Sequence, residues 1–173
     1  MTKTLFVCSA LAVAAVLAGC ATMSSGPTAQ ATLQPTRGNA VTGTVQFQQA
    51  AGGLRVTGEV RGLTPGREVG FHVHEKGDCS SGDGMSAGGH FNPSGSAHGR
   101  HGGGAHHAGD LPSLKADASG VARIDFETRT IAIGGATDIV GKGLIVHRDA
   151  DDYTTQPTGN AGPRLACAVI AKK

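Results

Sequence analysis

The chain has 173 residues, a formal net charge of +2, 28 glycines, eight histidines, one tyrosine and no tryptophan. A charge this near balance gives no footing for a nucleic-acid partner, and the length suits one ordinary domain behind its N-terminal segments. The informative residue is histidine. All eight lie between His72 and His147, and neutral imidazole is the commonest protein ligand for borderline metals such as zinc and copper.

Taken in order, Lys3 precedes an apolar stretch from Leu5 to Leu17, which ends in Leu17-Ala18-Gly19-Cys20. A positive start, about a dozen apolar residues and small residues before a cleavage point read as a secretory signal over residues 1–19. A membrane-spanning helix needs about 20 apolar residues, more than this stretch supplies. Leu-Ala-Gly-Cys resembles the lipobox of bacterial lipoproteins, which implies that Cys20 is acylated as the first residue of the mature chain. Ala21 after it points, by the same resemblance, to the outer membrane. Several acyl chains anchor firmly where one binds only marginally. Residues 20–38 form the next unit: after Cys20 they are Ser, Thr, Gln, Pro and Gly with almost no large apolar residue. Such a composition buries too little surface to fold and reads as a flexible tether, leaving 39–173 as the domain.

Four cysteines divide accordingly. Cys8 lies in the signal and Cys20 at the lipobox, so Cys79 and Cys167 remain in the domain. In an oxidising compartment such a pair is expected as a disulfide rather than as two buried thiols.

Within the domain, short stretches alternate with period two. Val41, Gly43, Val45 and Phe47 share one strand face, and Val56, Gly58 and Val60 share the next. The segment 121–126 alternates likewise, 144–147 and 165–170 are short and apolar, and glycine-rich turns separate them. No sustained helical period occurs beyond the signal, so the fold class is all-β, a sandwich or a barrel. The longest loop, roughly 77–118, carries most of the histidines; loops of that length are usually functional or disordered.

In Val69-Gly70-Phe71-His72-Val73-His74 the pleat sends Val69, Phe71 and Val73 to one face and His72 and His74 to the other. The apolar set belongs to the core, which puts both imidazoles on the outer face, where an i, i+2 pair can chelate one metal. Downstream lie His90, His98 and His107-Ala108-Gly109-Asp110. Three histidines and one aspartate make a tetrahedral set that suits zinc, whereas a strand pair with two further histidines makes a nitrogen-only set that suits copper.

The segments Gly70–Ser80 (GFHVHEKGDCS) and Gly159–Ile170 (GNAGPRLACAVI) resemble the two signature segments of copper–zinc superoxide dismutases, and the likeness runs from about Val41 to Ile170. Asp151-Asp152-Tyr153 and Gln156-Pro157-Thr158-Gly159-Asn160 are similar to the secreted bacterial members. The resemblance implies a Greek-key β-sandwich, or flattened eight-stranded barrel, with long metal-binding and active-site loops. It implies copper at His72, His74, His90 and His147, and zinc at His90, His98, His107 and Asp110, with His90 as the shared imidazolate. It further implies Arg164 as the guanidinium beside copper, Asp151 as the carboxylate bonded to one ligand of each metal (His72 and His98), and Thr158 lining the approach. The implied reaction is the disproportionation of superoxide to oxygen and hydrogen peroxide, with Arg164 and His90 as its catalytic residues. A non-catalytic copper- and zinc-binding protein on the same fold is the alternative. The implied setting is the bacterial periplasm, with contact to a membrane through the lipid anchor only. Both monomers and dimers occur in the family, so a homodimer is allowed. His101 and His106 are left over, each either a solvated loop residue or a weak extra metal contact. Between Asp149 and Pro163 there is no Lys, Arg or Glu, so attraction of the anion must rest on Arg164, the copper and basic residues elsewhere.

Overall fold

The computed structural model describes residues 26–173. The signal segment, Cys20 and the first part of the tether lie outside the described residues. The strands are β1 (Thr28–Pro35), β2 (Thr42–Ala50), β3 (Gly53–Arg61), β4 (Glu68–Val69), β5 (Phe71–His74), β6 (Leu114–Lys115), β7 (Ala122–Thr128), β8 (Gly143–His147), β9 (Arg164–Val169) and β10 (Ala171–Lys172). One 3-10 turn, Met85–Ala87, interrupts the long loop. Among the described residues no helix is long and apolar enough to cross a membrane.

The strands form one antiparallel sheet in the order β5-β8-β9-β1-β2-β3-β7, with β10 also on β1 and a small β4-β6 pair beside it. Only Gly70 separates β4 from β5, so residues 68–74 run as a single path. Its first part pairs with β6 and its second with β8. The connections from β3 to β4 and from β7 to β8 cross from one half of the sheet to the other, the Greek-key arrangement. The side chains enclosed between the halves include Leu33, Phe47, Leu54, Phe71, Leu144 and Ile170, all fully buried. Each such side chain contributes about 1.5–3 kcal/mol relative to exposure.

The tether expected over 20–38 is corrected here. Residues 28–35 are β1, an interior strand that pairs with β2 on one side and with β9 and β10 on the other. Just before β1, the Gly26 carbonyl accepts a hydrogen bond from Gln48 Nε2 at 2.8 Å. The segment folds because its few apolar residues alternate: Ala29, Ala31 and Leu33 are all buried. They complement β2 in size, with Ala29 opposite Phe47 and Leu33 opposite Gly43. A second, smaller difference is β6, which falls inside the stretch 77–118 expected as loop.

The loop after β5 lies along the outer edge of that strand. The Val73 N–H donates to the Gly109 carbonyl at 2.9 Å and the Phe91 N–H to the Val73 carbonyl at 2.8 Å. These bonds close an edge that would otherwise present unpaired backbone, and they set His74 opposite His90 and His72 opposite Asp110. The imidazoles on the outer face of β5 are therefore fully buried beneath the loop rather than solvated. The loop is also fastened by the Cys79–Cys167 disulfide, which joins it to β9.

Candidate metal centre

Two groups of four side chains converge under this loop. His72 and His74 from β5, His147 from β8 and His90 from the loop form the first; His90, His98, His107 and Asp110 form the second. Within each, one ligand atom per residue lies within 4.8 Å of the others, and every residue is buried. His90 belongs to both.

The hydrogen bonds decide which nitrogen of each ring is free. His74 Nδ1 meets the Gly88 carbonyl at 2.9 Å and His147 Nδ1 meets the Gly162 carbonyl at 3.1 Å. A carbonyl can only accept, so these nitrogens carry the proton and each Nε2 keeps its lone pair. His72 Nε2–H donates to Asp151 Oδ2 at 2.8 Å and His98 Nε2–H to Asp151 Oδ1 at 2.9 Å, which turns their Nδ1 atoms inward. The atoms so released, His72 Nδ1, His74 Nε2 and His147 Nε2, together with His90 Nε2, are buried without a hydrogen-bond partner, while His98 Nδ1 faces Asp110 Oδ2 at 3.1 Å. A buried polar atom without a partner costs about 1–3 kcal/mol, and these converge. That is the signature of a cation site: the outer nitrogens are held by carbonyls and a carboxylate, and the inner ones await a metal.

Asp110 is held in a comparable way. Its Oδ2 accepts from the backbone N–H groups of His107 at 2.8 Å and Gly99 at 3.1 Å, and its Oδ1 lies 2.8 Å from His90 Nδ1. Burial acts against its charge, but hydrogen bonds from His90 and His98 prevail and hold its carboxyl well below the usual range. In the first group burial dominates. It pushes His72 down to about 4 and His147 down to about 3, and His74 well below its ordinary value. All three are neutral, and so able to bind metal, throughout the physiological range. His98 behaves oppositely: burial opposes its charge, but Asp110 and Asp151 outweigh it and raise the group to about 9. A cation bound there would take the proton's place between two carboxylates.

Arg164 opens β9 and reaches the first group through the backbone. Its Nη1 donates to the Gly84 carbonyl at 2.5 Å and its Nη2 to the Gly88 carbonyl at 2.6 Å. The Gly88 oxygen is the one that holds His74, so the guanidinium stands one carbonyl away from a ring of the first group.

A profile of the family described as copper/zinc superoxide dismutase matches residues 41–170. The chain belongs to this family. It is 40% identical over 159 residues to the extracellular superoxide dismutase [Cu-Zn] of Brugia pahangi, covering 87% of this chain and 78% of that protein. It is 38% identical over 182 residues to the superoxide dismutase [Cu-Zn] of Deinococcus radiodurans, covering 98% of both. Among solved structures, the clock protein EA4 superposes with a TM-score of 0.76 at 40% identity, covering 83% of this chain and 93% of that one.

As a copper–zinc superoxide dismutase, the chain brings together nearly every residue singled out from sequence. Among the described residues the exception is Thr158, half-buried beside Gly159, which makes no hydrogen bond to either group. Of the basic residues in view, Arg148 is paired with Asp149 at 2.8 Å, Arg100 lies 4.8 Å over the Tyr153 ring, and Lys142 Nζ donates to the Glu75 carbonyl. One contributor went unread: Gln156 brackets the main chain of His98, accepting its N–H at 2.8 Å and donating to its carbonyl at 3.0 Å. Nothing in the type or spacing of Gln156 marks it as a clamp in the sequence.

Proposed function

We propose that copper is held by His72, His74, His90 and His147, and zinc by His90, His98, His107 and Asp110, in an enzyme whose reaction is the disproportionation of superoxide. Two superoxide anions and two protons yield oxygen and hydrogen peroxide. When bound, copper supplies the one-electron couple and zinc a fixed positive charge. The protein's residues do the rest. Arg164, half-buried and already gripping two carbonyls, holds the incoming anion by charge-assisted hydrogen bonding. His90 Nε2, the nitrogen on the copper side, would hold a proton only in exchange for copper and would pass that proton to the developing peroxide before rebinding the metal. Asp151, bonded to His72 and His98, fixes both rings in the tautomer that binding requires, and Thr158 lines the approach.

The observation that carries this reading is the set of buried ring nitrogens left without partners in two groups that share His90. Metal content and superoxide consumption of the purified protein test it, with His147→Ala as the probe. The variant is expected to lose copper and activity and to keep zinc. Loss of zinc alone overturns the assignment, and full loading without turnover would make the protein a metal buffer. We further propose export to the bacterial periplasm with a lipid anchor at Cys20, supported by the N-terminal pattern. Cys20→Ser should release the protein from membranes.

A further inference from the structure

The two histidines that neither group uses, His101 and His106, stand as a pair. Their ring centroids are 5.5 Å apart with an interplanar angle of 55°, against 5.5 Å and 56° for His98 and His107. Each is fastened through Nδ1. His101 Nδ1–H donates to the Asp110 carbonyl at 2.8 Å, and His106 Nδ1–H to the His107 carbonyl at 2.7 Å. A carbonyl only accepts, so each neutral ring keeps its lone pair on Nε2. His74 and His147 are prepared by the same device: a backbone oxygen fixes the tautomer and leaves the opposite nitrogen for a metal.

The surroundings suit an exchangeable ligand. Both rings are half-buried, and the four residues between them, Gly102, Gly103, Gly104 and Ala105, are exposed and carry almost no side chain to obstruct approach. Glu127 lines the same surface recess as His101.

We infer that His101 and His106 form a third metal site, which binds one zinc ion through the two Nε2 atoms and completes its coordination with water. Two imidazoles hold zinc less tightly than three and a carboxylate, so this ion exchanges while the buried one stays. The site is wired to its neighbour through the backbone, because His101 hangs from the carbonyl of Asp110 and His106 directly precedes His107. Zinc captured there is held beside two ligands of the buried zinc group, and the pair serves as a loading point for it. The loading role rests on the proposed zinc assignment; the third site itself does not.

The test starts from protein loaded with one copper and one zinc per chain, checked by elemental analysis, and titrates it calorimetrically with zinc chloride beside the double variant His101→Gln/His106→Gln. The parent is expected to take up one further zinc, which a chelating resin strips while the buried metals remain. The double variant is expected to lose that equivalent and to consume superoxide at the parent rate. No third equivalent, or the same equivalent in the variant, overturns the site. Metal-free variant should also acquire zinc more slowly than metal-free parent when zinc is scarce; equal uptake rates remove the loading role. Absence of zinc from the buried group in the starting analysis would instead sink the earlier assignment, and the titration would still decide the third site.

Discussion

Replacing Gly159 by alanine probes how the two metal groups are held together. Gly159 has φ +65°, and a Cβ there would overlap both Asp151 Oδ1 and His98 Nε2. The left-handed backbone alone costs an L-residue about 1–2 kcal/mol. The greater effect falls on Asp151, whose carboxylate must move from between His72 and His98. Each hydrogen bond to a charged group is worth about 1.5–3 kcal/mol, so losing the His98 bond brings the total to roughly 3–5 kcal/mol. Because Asp151 steadies one ring of each group, copper and zinc affinities should fall together, each by roughly 10–100-fold, the usual effect of losing a residue that orients a ligand. Competition against a chromophoric chelator measures both affinities in one preparation, and denaturant unfolding of the metal-free variant measures the strain. Asp151→Asn, which introduces no clash, should lower both affinities and leave the backbone penalty out. An unchanged copper affinity beside a weakened zinc affinity would refute the reasoning, since the crowding would then act on His98 alone.

Other outcomes follow from the same structure. Cys79 and Cys167 are 88 residues apart in sequence, so in the chain-entropy picture the double serine variant should unfold about 4–5 kcal/mol more easily, as read from denaturant midpoints; a loss below 1 kcal/mol would contradict this. Arg164→Ala should keep both metals and slow superoxide consumption roughly tenfold to a hundredfold, the equivalent of one charge-assisted hydrogen bond, and an unchanged rate would remove Arg164 from the site. Stability of the metal-free protein should peak near pH 6.5. Below it, the unfolded chain protonates His72 and His147 while the fold holds them neutral down to about 4 and about 3, so stability falls as pH drops. Above it, the fold keeps a proton on His98 up to about 9 that the unfolded chain has released, so stability falls as pH rises. Denaturation midpoints at pH 5, 6.5 and 8.5 in the presence of a chelator check the sign on both sides.

The sequence made the metal groups legible because their information is carried by side chains. Period two sorts Phe71 and Val73 from His72 and His74, and the offsets among His90, His98, His107 and Asp110 mark the loop ligands once the family resemblance is drawn. What stayed hidden is carried by the backbone or by small residues. The carbonyls of Gly88 and Gly162 that set two tautomers leave no mark in sequence, and neither does the amide of Gln156 that braces His98. β1 was missed for a different reason. Its inward residues are mostly alanines, too small to register as an apolar pattern among Thr and Gln, and they succeed only because Phe47 and Val45 fill the space opposite. The burial of the β5 histidines was equally out of reach, since it depends on where a distant loop settles.

The incorporation of residues 28–35 into the sheet shortens whatever connects the barrel to the proposed acyl group. Cys20 and Gly26 are six positions apart, which at full stretch reaches roughly 20 Å, compared with roughly 60 Å for a free segment running to residue 38. With a lipid at Cys20, a catalyst on so brief a leash would not patrol the aqueous space. It would stand against the lipid headgroups, removing the radical anion within a thin layer at the bilayer surface.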